Sequence, residues 1–365
     1  MLKILSFSLD KKIADKNSAA AKRMIEYGKL VDKYTILVLA DKDEIIELSE
    51  KVKVVSVRVA NKLLSWFKLK KQAQEILRTD KFNIITVQDA YYIGLLALKL
   101  ARKDKIGLEV QVHGFEKLYG IRKVIAKHVL PKADAVRVVS RRLKKQLVDE
   151  FKVAENRITV VPIYTDISSK TGLPRLPQKR DPRNDSDPFI FLTVCRLVPV
   201  KNIEMQIKAM AEVVKKYKNV ELWIVGDGPQ RKALNVKCQM SNVKCNFVGW
   251  SDDINRYYSQ ADVFLLTSNY EGWGLVAVEA ASYSLPIIMT DVGLAGEVIK
   301  DGKSGIVIPV NDQKALEEAM VELIKDGGLR KKLGERARKA MEQLPDKKQT
   351  LELYKKSWQN AMKNK

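Results

Sequence analysis

The chain has 365 residues, of which 46% are apolar and 30% charged. That length suits two domains of roughly 150–200 residues rather than one core, and the balance excludes a disordered chain. Lys plus Arg is 66 against 44 for Asp plus Glu, a formal net charge of +22. Such an excess points to anionic partners: nucleic acid, an anionic membrane surface or phosphorylated substrates.

The N-terminus, Met1 to Leu5, enters a strand-like segment directly and has no signal-peptide anatomy. No run approaches the roughly 18 apolar residues of a membrane span. Short apolar runs predict strands at 4–7, 35–39, 52–57, 83–87, 108–112, 135–139 and 158–161. Amphipathic patterns between them predict helices near 18–31, 70–79, 90–102, 117–129 and 141–151. From 170 to 188 the chain carries Pro174, Pro177, Pro182 and Pro188, with Leu173 and Leu176 its only large apolar residues. That stretch reads as an exposed linker. Strands then follow at 189–194, 221–225, 244–248, 263–266, 286–289 and 305–308. Helices are expected near 202–217, 229–238, 252–259, 274–284, 312–325 and 328–342, with a last one near 349–363.

Alternation of buried strands with helices implies α/β domains whose parallel sheets are covered on both faces. The expected organisation is a Rossmann-like domain at 1–169, the linker at 170–188 and a second Rossmann-like domain at 189–347. The segment 348–365 is a helix expected to pack back on the first domain. A cleft between two such domains is a preferred ligand site.

Cys195, Cys238 and Cys245 are odd in number and fit no zinc spacing, so no disulfide framework is expected. Only His113 and His128 are available as histidine ligands, and no metal site is expected. The setting these features predict is reduced and cytoplasmic.

Chemistry concentrates in the second half. Glu271-Gly272-Trp273-Gly274-Leu275 follows a predicted strand and opens a helix that carries Glu279. Glycines allow close backbone approach, and a helix start offers N–H groups and a positive dipole end to a diphosphate. Glu271 in the loop and Glu279 in the helix could grip two parts of one polar ligand. An ordinary strand–loop–helix with incidental acids is the alternative. Arg196 and Lys201 flank a Pro-containing loop after strand 189–194, where cations can neutralise phosphate. Two glycine turns, Gly226-Asp227-Gly228-Pro229 and Phe247-Val248-Gly249, fall at the same sheet edge. Gly249 could let backbone amides face a base.

Together these motifs, in order and spacing, resemble the retaining glycosyltransferases of family 4, which have the GT-B fold. The tail Asp291-Val292-Gly293, Glu297-Val298-Ile299, Asp301-Gly302 and Gly305-Ile306-Val307 resembles the same family. The likeness covers 185–345 closely and 1–165 more loosely. Gln111-Val112-His113-Gly114 resembles the family's acceptor-side histidine. The resemblance implies transfer of a sugar from a nucleotide-diphosphate donor, such as a UDP- or GDP-sugar, with retention and without a required metal or cofactor. Arg196 and Lys201 would face the diphosphate, with backbone N–H groups of Gly272, Trp273, Gly274 and Leu275. Glu279 would take the ribose, Glu271 the donor sugar, and His113 would lie near the attacking hydroxyl. Three positions depart from the family pattern. Asp15-Lys16-Asn17-Ser18-Ala19-Ala20 replaces a Gly-Gly loop, Ile163-Tyr164 replaces an Asn-Gly pair, and Ser284 replaces a helix-terminal Gly.

The charge is unevenly shared, +18 over residues 1–180 and +4 over 181–365. Two basic stretches interleave large apolar residues, Lys62 to Lys71 with Trp66 and Phe67, and Phe115 to His128. Aromatic and cationic residues side by side suit a headgroup interface. The expected partners are a nucleotide-sugar donor, a lipid-linked or cell-envelope glycan acceptor and an anionic membrane surface on the inner face. No nucleic acid is expected. The alternatives are a basic nucleic-acid-binding protein, for which no motif is visible, and a GT-B sugar phosphorylase.

Overall fold

The computed structural model describes residues 1–58, 62–115, 118–165 and 187–365, with side chains of 62–65 left aside. Most of the expected linker at 170–188 lies outside the described residues. The chain divides into two compact units, Met1–Pro162 with Asp346–Lys365, and Ile163–Pro345.

The first unit runs β1 (Lys3–Ser8), α1 (Ala19–Gly28), β2 (Lys33–Ala40), β3 (Glu44–Ser49), β4 (Val52–Arg58), α2 (Lys62–Thr79), β5 (Ile84–Val87) and α3 (Tyr92–Asp104). It continues through β6 (Gly107–Val112), α4 (Ile121–Val129), β7 (Ala135–Val138), α5 (Arg141–Phe151) and β8 (Ile158–Val160). The second unit runs β9 (Phe189–Val194), α6 (Ile203–Lys216), β10 (Val220–Val225), α7 (Arg231–Met240), β11 (Cys245–Gly249), α8 (Asn255–Gln260) and β12 (Val263–Leu266). It ends with α9 (Leu275–Ser282), β13 (Ile287–Thr290), β14 (Ile306–Ile308), α10 (Gln313–Lys325) and α11 (Gly327–Glu342). The last helix, α12 (Lys347–Lys363), belongs to the first unit.

Both sheets follow from their strand composition. β1, β5, β6 and β7 are nearly continuous buried runs, as a sheet covered on both faces requires. The first sheet has eight strands in the order β3-β4-β2-β1-β5-β6-β7-β8. The second has six, β11-β10-β9-β12-β13-β14, and all its pairs are parallel. One correction concerns β3, which pairs antiparallel with β4 and closes the edge of the first sheet. It carries no clean apolar run: Ile46 is buried, while Ile45 faces solvent. An edge strand needs little burial to form.

α12 lies on β6, β7 and β8. A Cβ on Gly107 would come within 2.3 Å of the Ala361 carbonyl oxygen, so helix and strand meet backbone to backbone. The fully buried carboxylate of Glu109 accepts from Ser357 Oγ at 2.5 Å and Trp358 Nε1 at 3.2 Å, and from Thr86. Arg137 Nε sits 3.5 Å from the same carboxylate, with its guanidinium 3.6 Å over the Tyr354 ring. A buried charge persists only when paired and hydrogen-bonded in this way.

The cysteines require a second correction. Cys238, in the last turn of α7, and Cys245, at the start of β11, form a disulfide. They lie seven positions apart, and the intervening turn brings their Cα atoms to 6.2 Å, within bridging distance. Cys195 is free.

Candidate active site

In the second unit the candidate residues gather past the carboxyl ends of β9 to β12. In open parallel sheets this edge is where ligands bind. β9 ends at Val194, and a short 3-10 turn at Pro199–Lys201 leads to Asn202 in the left-handed region, φ 50. Asn tolerates that backbone better than other residues with a Cβ. Its side-chain amide donates to Asn311 Oδ1 at 2.8 Å and Asn269 Oδ1 at 3.2 Å. The loop after β12 is fastened to the same turn. Asn269 N donates to Val200 O at 2.7 Å, and Thr267 Oγ1 lies 3.2 Å from the carbonyls of Lys201 and Asn202. Buried Gln206 braces both strands, donating to Thr267 Oγ1 at 2.8 Å and Thr193 Oγ1 at 3.3 Å.

This fastening brings Lys201 Nζ to 2.5 Å from Glu271 Oε1, and Ser268 Oγ donates to that oxygen at 2.7 Å. The side chains of Lys201 and Glu271 are 14% and 10% exposed, so salt screens the pair little. Arg196 is exposed and makes no ion pair with described residues. Cys195 stands beside these charges, but burial pushes its thiol up to about 12. It is therefore no nucleophile at neutral pH.

Glu271 leads through Gly272 and Trp273 into α9. Gly274, at φ 97, takes the left-handed turn, whereas Gly272 does not. No side chain caps the N-terminus of α9, which leaves backbone donors there for another partner. The indole of Trp273 is 2% exposed. It belongs to the core, and its carbonyl already accepts from Leu294 N at 2.8 Å. Within α9, Glu279 accepts from Tyr258 Oη at 2.9 Å. Burial, with the Glu279 charge, holds the Tyr258 hydroxyl well above its ordinary value, so it stays a donor.

The two glycine turns meet. Gly226 N donates to Gly249 O at 2.8 Å. A Cβ on Gly226 would fall 1.9 Å from Cys195 O, and one on Gly249, at φ 85, would fall 2.9 Å from Arg231 Nη1. Arg231 donates to Phe247 O at 3.1 Å and lies 3.4 Å from Asp227 Oδ2. Sequence reasoning missed Ser268, Asn202, Arg231 and Tyr258. Ser268 is a common turn residue, and Asn202, Arg231 and Tyr258 reach Asn269 and Asn311, Phe247, and Glu279, each 16 or more positions away.

His113 belongs to the first unit and follows β6. Crowding by protein atoms, then the Arg137 and Arg23 charges, lowers its pKa to about 4, although the residue is exposed to solvent. The other candidates all belong to the second unit.

Two α/β units, the second with a fully parallel sheet carrying glycine turns and a Lys–Glu pair at its strand ends, are the build of GT-B glycosyltransferases. Residues 175–340 match Glycosyl transferases group 1, and residues 30–168 match Glycosyltransferase Family 4. The chain belongs to this glycosyltransferase family. It is similar to the alpha-monoglucosyldiacylglycerol synthase of Acholeplasma laidlawii, 24% identical over 309 residues and covering 77% of each chain. It is also similar to the capsular polysaccharide biosynthesis glycosyltransferase CapM of Staphylococcus aureus, 26% identical over 65% of this chain and 64% of that one. Among solved structures, the sucrose-phosphate synthase of Thermosynechococcus elongatus superposes with a TM-score of 0.76 at 20% identity, covering 98% of this chain and 99% of that one. Anabaena HepE in complex with UDP gives 0.74 at 18% identity, covering 97% and 98%. These structures share the GT-B fold with this chain.

Proposed function

We propose that the protein transfers a sugar from a UDP- or GDP-sugar to an acceptor hydroxyl, retaining the anomeric configuration and requiring no metal. The observation that carries this reading is the Lys201–Glu271 pair at the strand ends, with Arg196 exposed on the same loop after β9. Charge develops on the departing diphosphate. Arg196, Lys201 and the N–H groups from Gly272 to Leu275 are fixed donors that stabilise it without rearranging. Lys201 would then serve two partners, the diphosphate and Glu271, and so register the donor sugar against its leaving group. Glu271 takes hydroxyls of that sugar. Glu279, held by Tyr258, takes the ribose, and the Gly249 turn takes the base. These carboxylates position the donor and are not an acid–base pair of the glycosidase kind. His113 is uncharged at neutral pH, which suits it to accept a hydrogen bond from a sugar or acceptor hydroxyl.

The acceptor in this reading is a lipid-linked or cell-envelope glycan, and the enzyme works at an anionic membrane on the cytoplasmic side. In the first unit, Phe67, Tyr119, Ile121 and Val124 are exposed beside Lys68, Arg122 and Lys127, a mixture suited to a headgroup layer. No helix of the described residues is long and apolar enough to cross a membrane.

The test is a binding screen of UDP-, GDP- and ADP-sugars, followed by nucleotide release with and without lipid acceptors and NMR of the product anomer. Failure of every nucleotide sugar to bind sinks the reading. An inverted product, or turnover abolished by EDTA, removes retention or metal independence. Co-sedimentation with phosphatidylglycerol vesicles, compared with phosphatidylcholine, tests the membrane.

A further inference from the structure

A groove of about 450 Å³ opens on the second unit along β10, β11 and α8, lined by Trp223, Asn246, Phe247, Val248, Arg256, Tyr257 and Gln260. Its volume is typical of small-ligand clefts, roughly 300–1,000 Å³. The placement follows from period and register. Trp223 on β10 stands directly opposite Asn246 on edge strand β11. Asn246 and Val248 alternate onto one face. On α8, Arg256 and Gln260 are four residues apart and share a side.

Trp223 is held from two directions. Its Nε1 donates to Glu221 Oε2 at 2.8 Å, and its ring meets Tyr257 edge-on at 6.1 Å. The half-buried indole is thus a fixed platform. Around it stand the amides of Asn246 and Gln260, both exposed and, among the described residues, without an internal hydrogen bond. The Arg256 guanidinium lies 4.6 Å over the Tyr257 ring. Glu221 is neutralised by Lys244. The groove therefore offers an aromatic floor with planar amide donors and acceptors and one guanidinium donor, Arg256, at its rim.

We infer that this groove is a glycan subsite taking one or two neutral hexose units of a carbohydrate chain. The axial C–H face of a pyranose lies against the electron-rich face of an indole, while its vicinal hydroxyls pair with planar amides. A fixed indole limits the ordering cost of binding. A lipid tail would leave the amides and the guanidinium unmatched, and binding of UDP at this groove in place of a tetrasaccharide would overturn the assignment. The subsite rests on the transferase reading for its purpose, which is to hold a growing acceptor chain on the enzyme, but its binding does not require turnover.

The test is calorimetric titration of the full chain with cellotetraose, maltotetraose and chitotetraose, without nucleotide. At least one should bind with a Kd in the millimolar range or below. Asn246→Ala with Gln260→Ala should weaken that binding about tenfold, with an unchanged melting temperature and unchanged affinity for UDP. Trp223→Ala should abolish it, and the two surface substitutions keep the test valid should that variant fail to fold. No binding of any tetrasaccharide at about 10 mM, or equal binding by the Asn246/Gln260 double variant, overturns the subsite. Tetrasaccharide binding by a protein that binds no nucleotide sugar would sink the transferase reading alone.

Discussion

Lys201 and Glu271, 70 positions apart, form an ion pair that ties the chain just beyond β9 to the chain just beyond its neighbour β12. Its geometry depends on parallel pairing, because only parallel strands deliver both loops to the same sheet edge.

Lys201→Ala should therefore lower turnover by about two to three orders of magnitude, the scale of losing one fixed charge-stabilising donor. It should also destabilise the second unit by about 3 kcal/mol, because Glu271 is left buried and unpaired. Steady-state kinetics with the best-bound nucleotide sugar and urea unfolding would measure both. Glu271→Ala should lose most transfer while the fold survives. Wild-type turnover in either variant would remove that residue from the site.

Gly249→Ala combines a positive φ with a contact of 2.9 Å to Arg231. The expected cost is about 1–2 kcal/mol from the backbone, with weaker nucleotide binding. Adding Arg231→Ala should relieve the contact but not the φ penalty. Full recovery of the melting temperature in the double variant would contradict this account.

With two histidines in the chain, His113 can be followed by NMR against His128. Its folded pKa of about 4 lies below the ordinary 6.5. Between those values the unfolded chain binds the proton and the folded chain does not, so folding stability falls as pH drops from 6.5 toward 4. The ring's contact with solvent makes this loss smaller than the full shift implies. An imidazole resonance titrating near 6.5 would refute the neutral role given to His113.

Trp358→Ala should cost about 3–5 kcal/mol, as for other buried Trp truncations. The loss should fall on the first unit, because Trp358 and Ser357 donate two of the hydrogen bonds to Glu109 on β6. Hydrogen exchange should accelerate in β6, β7 and β8 and stay unchanged in β9 to β14. Uniform acceleration across both sheets would contradict the confinement of α12 to the first unit.

Local pattern was enough to locate nearly every strand and helix, because buried parallel strands are runs of Val, Ile and Leu between glycine or polar turns. β3 escaped because an antiparallel edge strand buries only Ile46 firmly. α2 begins at Lys62, earlier than its amphipathic pattern suggests. Ser284, in place of the family's glycine, keeps that residue's left-handed backbone at φ 56. Glu271, Lys201, Arg196 and the glycine turns were legible as residue types at strand ends, where chemistry in this fold resides.

The sequence by itself determined two α/β units, their family and the motifs that carry it, since periodicity and turn chemistry are local properties. Tertiary structure alone decided which partners each residue meets. It engaged Lys201 with Glu271 and Ser268, buried the Trp273 indole, joined Cys238 to Cys245 and set Trp223 opposite Asn246. Charge pairing and burial are relations between distant segments, and they exist only once β-sheet register has fixed which segments are neighbours.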